Sequence, residues 1–173
     1  AVWADTIRRV HDESPGLSVE VLIPDFEGNW EALQHVIDAR PEIYNHNTET
    51  VPRLYKKCRP GGRYERVMQI FRFAKSYAPD IPTKTGMILG MGETIEEVKV
   101  VMRDLRAVDV DILTLGQYLR PSDAHIKLDR YVTPEEFAHL KRAGMDLGFK
   151  HVESGPLVRS SYHAWEQVQA AGV

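Results

Sequence analysis

The chain has 173 residues, a net charge of −3 and 43% hydrophobic residues, which is typical of one globular domain with its own core. The mildly acidic balance provides no general attraction to nucleic acid or to acidic membrane surfaces, so neither is expected as a partner. No apolar run approaches the roughly 20 residues of a membrane-spanning helix. The single cysteine, Cys58, excludes an internal disulfide and any iron–sulfur site built from this chain's thiolates alone. A reducing compartment is expected, which means the cytoplasm, or a mitochondrion or plastid in a eukaryote.

The first ten residues predict a helix that is already under way, because apolar residues recur at helical spacing from Val2 to Val10. The chain does not open with methionine. We therefore expect that its natural beginning is missing from this sequence.

Strands and helices alternate along the rest of the chain. Short apolar runs that end in proline, glycine or polar residues predict strands over 18–23, 42–47, 83–89, 111–119 and 150–158. Amphipathic spacing and capping residues predict helices over 30–39, 63–78, 94–108, 133–148 and 162–170. This alternation indicates parallel βαβ units, with fewer strands than the eight of a closed barrel. The predicted fold is an α/β partial parallel (β/α) barrel formed by residues 1–173, with a C-terminal extension over 149–173.

Each predicted strand is followed by polar or glycine residues, at positions 24–25, 45–50, 90–93, 116–118 and 159–162. Because the carboxyl ends of parallel strands share one edge of the sheet, these groups are expected to form one polar mouth. The alternative is that they are ordinary capping and turn residues.

The segment 44–50 is the most informative of these groups. Strand alternation places Asn45, Asn47 and Glu49 on one side and His46 on the other, where it is interpreted as structural. Amides and a carboxylate in a row suit a polyhydroxyl ligand such as a ribose, since they offer both donors and acceptors. A self-satisfied turn network is the alternative.

The glycines from Gly86 to Gly92 permit a ligand to approach the backbone closely, but they match neither a dinucleotide fingerprint nor a Walker loop. Arg66 lies in the first turn of the helix after the Asn/Glu segment. Its guanidinium could clamp a carboxylate, or it could simply face solvent. The basic stretch 53–63 is expected to be a solvated loop.

A series of short motifs occurs in a specific order along essentially the whole chain. They are V-E-V-L-I-P-D-F at 19–26, N-H-N at 45–47 with E-T-V-P-R at 49–53, R-P at 59–60, Y-E-R at 64–66, L-G at 89–90 with G-E-T at 92–94, Q-Y-L at 117–119 with Pro121, G-P at 155–156 and R-S-S-Y at 159–162. Together they resemble lipoyl synthase, a radical S-adenosylmethionine (SAM) enzyme family. The final R-S-S-Y is the most specific of them.

The resemblance implies a radical SAM partial barrel, truncated here at the N-terminus, in an enzyme with two [4Fe–4S] clusters. One cluster binds SAM and cleaves it to a 5′-deoxyadenosyl radical. That radical removes hydrogen from C6 and C8 of an octanoyl chain that is amide-linked to a lysine of a lipoyl carrier domain. The second, auxiliary cluster is consumed as the sulfur donor.

The resemblance also assigns residues to the cofactors. It implies that the SAM ribose is held by Asn47 and Glu49, its carboxylate by Arg66, and its adenine by Gly86, Ile88, Gln117 and Leu119. Ser160, the first serine of R-S-S-Y, is the implied fourth ligand of the auxiliary cluster. No residue of this chain is assigned to catalysis itself.

Both cysteine motifs of the family are absent, so the chain is expected to be inactive by itself. Its expected partners are the missing N-terminal half and the octanoylated carrier. Two alternatives stay open: a non-catalytic module that binds an adenosyl ligand or a carrier protein, and a biotin-synthase-like radical enzyme. R-S-S-Y disfavours the second.

Overall fold

The computed structural model describes residues 2–172. Its α-helices are α1 (Val2–Glu13), α2 (Trp30–Ile37), α3 (Tyr55–Cys58), α4 (Tyr64–Tyr77), α5 (Ile95–Arg106), α6 (Pro134–Asp146) and α7 (Ala164–Ala171). Its β-strands are β1 (Glu20–Leu22), β2 (Ile43–Asn45), β3 (Thr83–Leu89), β4 (Ile112–Gln117) and β5 (His151–Gly155). The predicted alternation of strands and helices is confirmed, and Ala1, which belongs to the predicted first helix, lies outside the described residues.

The strands form one five-stranded parallel sheet in the order β1-β2-β3-β4-β5. A doubly wound sheet reverses its strand order at a switch point. Here the spatial order follows the chain without reversal, as it does in the wall of a barrel. β1 and β5 do not pair with each other within residues 2–172, so the barrel is open. The predicted partial parallel barrel is therefore confirmed.

The outer face of the sheet is apolar and packs against the helices. Leu113 and Leu115 of β4 are completely buried, in one core with side chains of α5 and α6. These are Val98, Val101, Met102, Leu105, Phe137 and Leu140. Burial of so many aliphatic and aromatic side chains, at about 25 cal/mol per Å² of apolar surface, is the main term that stabilises this half of the fold.

The inner face is unusually polar for the interior of a parallel barrel, which branched apolar residues normally fill. Glu20 of β1 accepts hydrogen bonds from Asn45 Nδ2 of β2, at 2.6 Å, and from Lys84 Nζ of β3, at 2.7 Å. Side chains from three neighbouring strands therefore meet inside the barrel.

The chain beyond β5 folds back over this inner face. The carbonyl of Val158 packs so closely on Gly116 that a Cβ at residue 116 would lie 2.3 Å from the oxygen. Farther along, α7 packs apolar side chains against Ile43 and Ile112, which are the first residues of β2 and β4. The C-terminal extension thus runs along the inner face from the carboxyl ends of the strands to their amino ends.

Several predicted boundaries differ from the structure. β1 covers only Glu20–Leu22, although Val19 and Ile23 still form backbone hydrogen bonds with β2, and β5 ends at Gly155. The stretch 53–63, expected to be a solvated loop, is partly helical: a 3₁₀ turn at Pro52–Leu54 leads into α3. The reason is burial, since Leu54 and Tyr55 belong to the hydrophobic core. None of the helices in residues 2–172 has the length and hydropathy that crossing a membrane needs.

Candidate functional site

A cavity of about 150 Å³ opens at the carboxyl ends of the strands, on the inner face of the barrel. We call it the inner cavity. It brings together five of the eight residues assigned from the sequence: Asn47, Glu49, Gly86, Ile88 and Ser160. Thr114, Gly116 and Arg159 also line it.

The main chain of Glu49 joins the loop after β2 to β3 through two hydrogen bonds. Its amide donates to the Gly86 carbonyl, and its carbonyl accepts from the Ile88 amide, both at 2.9 Å. Glu49 has a φ of 70°, a left-handed conformation that is uncommon outside glycine. The two backbone bonds hold this strained residue, which places its side chain at the cavity.

Asn47 presents an unsatisfied acceptor to the inner cavity. Its Oδ1 is buried and has no hydrogen-bond partner among the described residues. A Cβ at Gly86 would lie 2.9 Å from this oxygen and 2.8 Å from Thr114 Oγ1, so the glycine is what leaves the space open. A buried acceptor without a donor is costly, and a ligand hydroxyl or amine placed here would satisfy it.

Glu49 is a partly buried carboxylate beside a cation. Burial raises the pKa of Glu49, and Arg59, whose Nη1 lies 3.9 Å from Glu49 Oε1, opposes that shift. Arg59 also donates to the main-chain carbonyl of Asn47, at 3.1 Å. The site can therefore accept hydrogen bonds from hydroxyls through Glu49 while Arg59 keeps the loop in place.

A second cavity of about 430 Å³ adjoins the first and shares Glu49 and Ile88 with it. We call it the outer cavity. Its other lining residues combine cationic groups with apolar ones: Lys57, Cys58, Arg59, Met91, Tyr118, Ala124, His125 and Ile126. Burial raises the pKa of the Cys58 thiol, which disfavours the thiolate that a nucleophile or a metal ligand needs.

Arg66 lies outside the lining of both cavities. Its Nη1 donates to Asp25 Oδ2, at 2.8 Å. Although burial opposes the change, the hydrogen bonds from Arg66 and from the Glu27 amide lower the pKa of Asp25. His46 is buried, with Nδ1 2.8 Å from the Ile23 carbonyl and with Nε2 unpaired among the described residues, and burial lowers its pKa. Its interpretation as structural stays a prediction.

Gln117 and Leu119 also lie outside both cavities. The Gln117 side chain is occupied by a neighbouring loop: Nε2 donates to the Arg130 carbonyl, at 3.3 Å, and Oε1 accepts from the Val132 amide, at 2.8 Å. Leu119 follows β4 and is 51% exposed. The adenine-binding roles of these two residues stay predictions, as does the carboxylate-binding role of Arg66.

Three residues that shape the site had been assigned no role from the sequence. Thr114 lines the inner cavity from β4, Arg59 lines the outer cavity 3.9 Å from Glu49, and Lys84 contacts the carbonyl of Ser160. Lys84 was a readable signal, because it is the one charged residue of the predicted strand 83–89 and a lysine that is buried in a sheet needs a partner.

The fold and the site match a known superfamily. A model of the radical SAM superfamily matches residues 3–105, more than half of the sequence, so the chain belongs to the radical SAM superfamily. A crystal structure of a methylornithine synthase superposes with a TM-score of 0.67 at 18% identity, covering 83% of this chain and 42% of that one. At that identity the likeness shows the fold alone.

Within the superfamily, the chain is most informatively compared with lipoyl synthases. It is 58% identical to the lipoyl synthase of Koribacter versatilis and 55% identical to that of Rubrobacter xylanophilus. The alignments cover 98% and 99% of this chain but 56% and 53% of those proteins. The resemblance read from the motifs is confirmed, and the chain spans about half the length of these relatives.

Membership in the superfamily implies SAM and an iron–sulfur cluster, and the residues present fit the two differently. The unsatisfied Asn47 oxygen, the Glu49 carboxylate and the gap at Gly86 suit the hydroxyl groups and close approach of a nucleoside. The sequence holds one cysteine, too few thiolates for a [4Fe–4S] cluster. The residues present therefore fit a nucleoside better than they fit an iron–sulfur cluster.

Proposed function

We propose that this chain forms the SAM-binding half of a lipoyl synthase, which inserts two sulfur atoms at C6 and C8 of a protein-bound octanoyl chain. The observation that carries the proposal is the inner cavity, where Asn47, Glu49, Gly86 and Ser160 meet. The 51–58% identity to lipoyl synthases supports the choice of reaction within the superfamily.

Asn47 and Glu49 would hold the ribose of SAM. The Asn47 oxygen supplies an acceptor that the protein leaves unsatisfied, and the Glu49 carboxylate supplies more. Gly86 keeps the floor of the cavity clear for the nucleoside. SAM bound by these residues would supply the radical chemistry that removes hydrogen from the octanoyl chain.

Ser160 would reach an auxiliary cluster through its hydroxyl. Its main-chain carbonyl is engaged by Lys84, whereas within residues 2–172 no hydrogen bond involves its hydroxyl. The remaining ligands of both clusters would be thiolates from outside this chain, which we propose is inactive without them. The octanoylated lipoyl carrier domain is the proposed protein substrate.

The role of Ser160 can be tested by Ser160→Ala in the full-length protein. We expect lipoyl product to fall by at least about tenfold while 5′-deoxyadenosine formation is largely retained, because the change removes a cluster ligand and leaves the SAM subsite intact. Both products are quantified by mass spectrometry in one assay. Ser161→Ala is the matched control, since Ser161 is the exposed neighbour.

Equal losses of both products in Ser160→Ala would contradict a specific role at the auxiliary cluster. The single cysteine favours one other candidate, a non-catalytic module that binds an adenosyl ligand. A full-length protein that binds SAM but contains no iron and forms no 5′-deoxyadenosine would establish that module instead.

A further inference from the structure

Lys84 is completely buried on the inner face of β3. Its ammonium contacts two groups: Glu20 Oε2, at 2.7 Å, and the main-chain carbonyl of Ser160. An ammonium removed from water is strongly unfavourable unless it is paired and hydrogen-bonded. A hydrophobic residue would fill the same space at lower cost, so the contacts of this lysine need an explanation other than packing.

The partner carboxylate is itself held firmly. Glu20 accepts a hydrogen bond from Asn45 Nδ2, at 2.6 Å, through the oxygen that Lys84 does not use. Burial lowers the pKa of Lys84, while Glu20 opposes that shift and so favours the charged donor. Three adjacent strands thus fix the position of one ammonium group.

The segment 157–162, which carries Ser160, packs Val158 against Gly116 but has few other hydrogen bonds to the barrel. Its remaining hydrogen bonds within residues 2–172 are all local in sequence. They run from the Val158 amide to the Gly155 carbonyl, from Arg159 Nη1 to the Val158 carbonyl, from the Tyr162 amide to the Arg159 carbonyl, and from Gln167 Nε2 to the Tyr162 carbonyl. The bond from Lys84 spans 76 residues and joins the segment directly to the barrel wall.

We propose that Lys84 is a positioning residue for Ser160: its ammonium, anchored by Glu20, fixes the main chain of the R-S-S-Y segment against β3. The position of the Ser160 hydroxyl in the inner cavity then depends on the buried Lys84–Glu20 ion pair. The cluster-related part of this inference rests on the proposed function. The mechanical part, that Lys84 holds the segment, does not.

The mechanical part is tested by hydrogen exchange in the iron-free full-length protein. Lys84→Met removes the donor at similar size, and Lys84→Met combined with Glu20→Gln removes the buried unpaired carboxylate as well. We expect amides of residues 157–163 to exchange about tenfold faster in both variants, since a charge-assisted anchor is lost, with β3 and β4 little changed.

The matched control is Lys75→Met. Lys75 also forms a part-buried ion pair, with Asp111, and also donates to a carbonyl, that of Ile81. Lys75→Met should destabilise the protein without affecting the contact to Ser160. Amide exchange at 157–163 should therefore rise no more than exchange in the rest of the protein.

A second measurement is the amount of lipoyl product formed per 5′-deoxyadenosine in the full-length enzyme. We expect this ratio to fall at least about fivefold in Lys84→Met and to hold in Lys75→Met, because plain destabilisation lowers both products together. Unchanged exchange at 157–163 in the double variant would overturn the inference about Lys84. Faster exchange with a normal product ratio, together with an active Ser160→Ala, would keep the anchor and overturn the proposed cluster role of Ser160.

Discussion

Gly86 and Gly155 both lie on the inner face of the sheet, but a side chain would meet different surroundings at the two positions. At Gly86, a Cβ would lie 2.8 Å from Thr114 Oγ1 and 2.9 Å from Asn47 Oδ1, closer than carbon and oxygen can pack. At Gly155, it would meet only Val158 Cγ2, at an ordinary 3.5 Å. The space that Gly86 leaves is therefore a property of the site rather than of the sheet.

Gly86→Ala is expected to weaken SAM binding to the full-length protein about tenfold or more, because the added methyl group occupies the inner cavity and displaces Asn47. Isothermal titration calorimetry with SAM measures the change. Gly155→Ala, the control, should bind SAM with nearly unchanged affinity. Equal affinities of the Gly86 variant and the unaltered protein would show that the nucleoside does not approach this strand.

For Arg66, the sequence predicted the position in the chain's secondary structure but not the partner, which is Asp25. Arg66 lies in the first turn of α4, as the sequence indicates. Asp25 and Arg66 are 41 residues apart in the chain. Their ion pair, with 2.8 Å between Arg66 Nη1 and Asp25 Oδ2, balances the charge of the guanidinium. A SAM carboxylate bound by Arg66 would have to share it with Asp25 or displace it.

Two helices begin with capping interactions between residues that are close in the chain, so their starts can be recognised from the sequence. α5 and α6 both open with a capping box, formed by Thr94 with Glu97 and by Thr133 with Glu136. In α6 the Glu136 carboxylate also accepts two hydrogen bonds from Arg130, at 2.7 and 2.9 Å. The start of α6 is thereby tied to the loop that Gln117 holds, so this helix end links a local signal to the tertiary structure.

Thr133→Ala should lower the free energy of unfolding by about 1 kcal/mol, because the Glu136 amide loses its side-chain acceptor. Urea denaturation followed by circular dichroism measures the change. Thr6→Ala is the control: Thr6 is an exposed residue of α1 whose Oγ1 donates to the Val2 carbonyl, and alanine is the better helix former at such a position. A Thr133 variant as stable as the control would show that the cap contributes little.

At the level of the whole molecule, the open barrel leaves β1 as an edge strand. Within residues 2–172, β1 pairs only with β2. Beside it lies an apolar groove of about 310 Å³, lined in part by Trp3, Ile7 and Val10 of α1 and by Leu22. Trp3 is 41% exposed and Leu22 is 43% exposed. An unpaired strand edge next to exposed apolar side chains is a site where chains associate.

The isolated 173-residue chain is therefore expected to dimerise or aggregate, which multi-angle light scattering across a concentration series would detect. Leu22→Lys should reduce the association, since a charge on an edge strand opposes pairing. Val100→Lys, on the exposed face of α5, should leave it unchanged. A monomer at every concentration tested would contradict the role of this edge.

The sequence by itself determined the class of fold and the polar composition of the strand ends. Capping residues at Thr94 and Thr133 located the starts of two helices, because capping acts between residues that are close in the chain. Alternation along a strand does not explain the site, since β2 ends at Asn45, and Asn47 and Glu49 reach the cavity from the loop that follows it. The motifs were also sufficient to identify the relationship to lipoyl synthases.

Only the tertiary structure decided which of the polar side chains meet. Gln117 donates a hydrogen bond to the carbonyl of Arg130, 13 residues away, and Arg66 donates one to Asp25. Lys84 donates one to the carbonyl of Ser160, 76 residues away. Such pairings depend on the register of strands and on the path of the C-terminal extension through the barrel. No local pattern encodes them, because each is the outcome of packing the whole sheet at once.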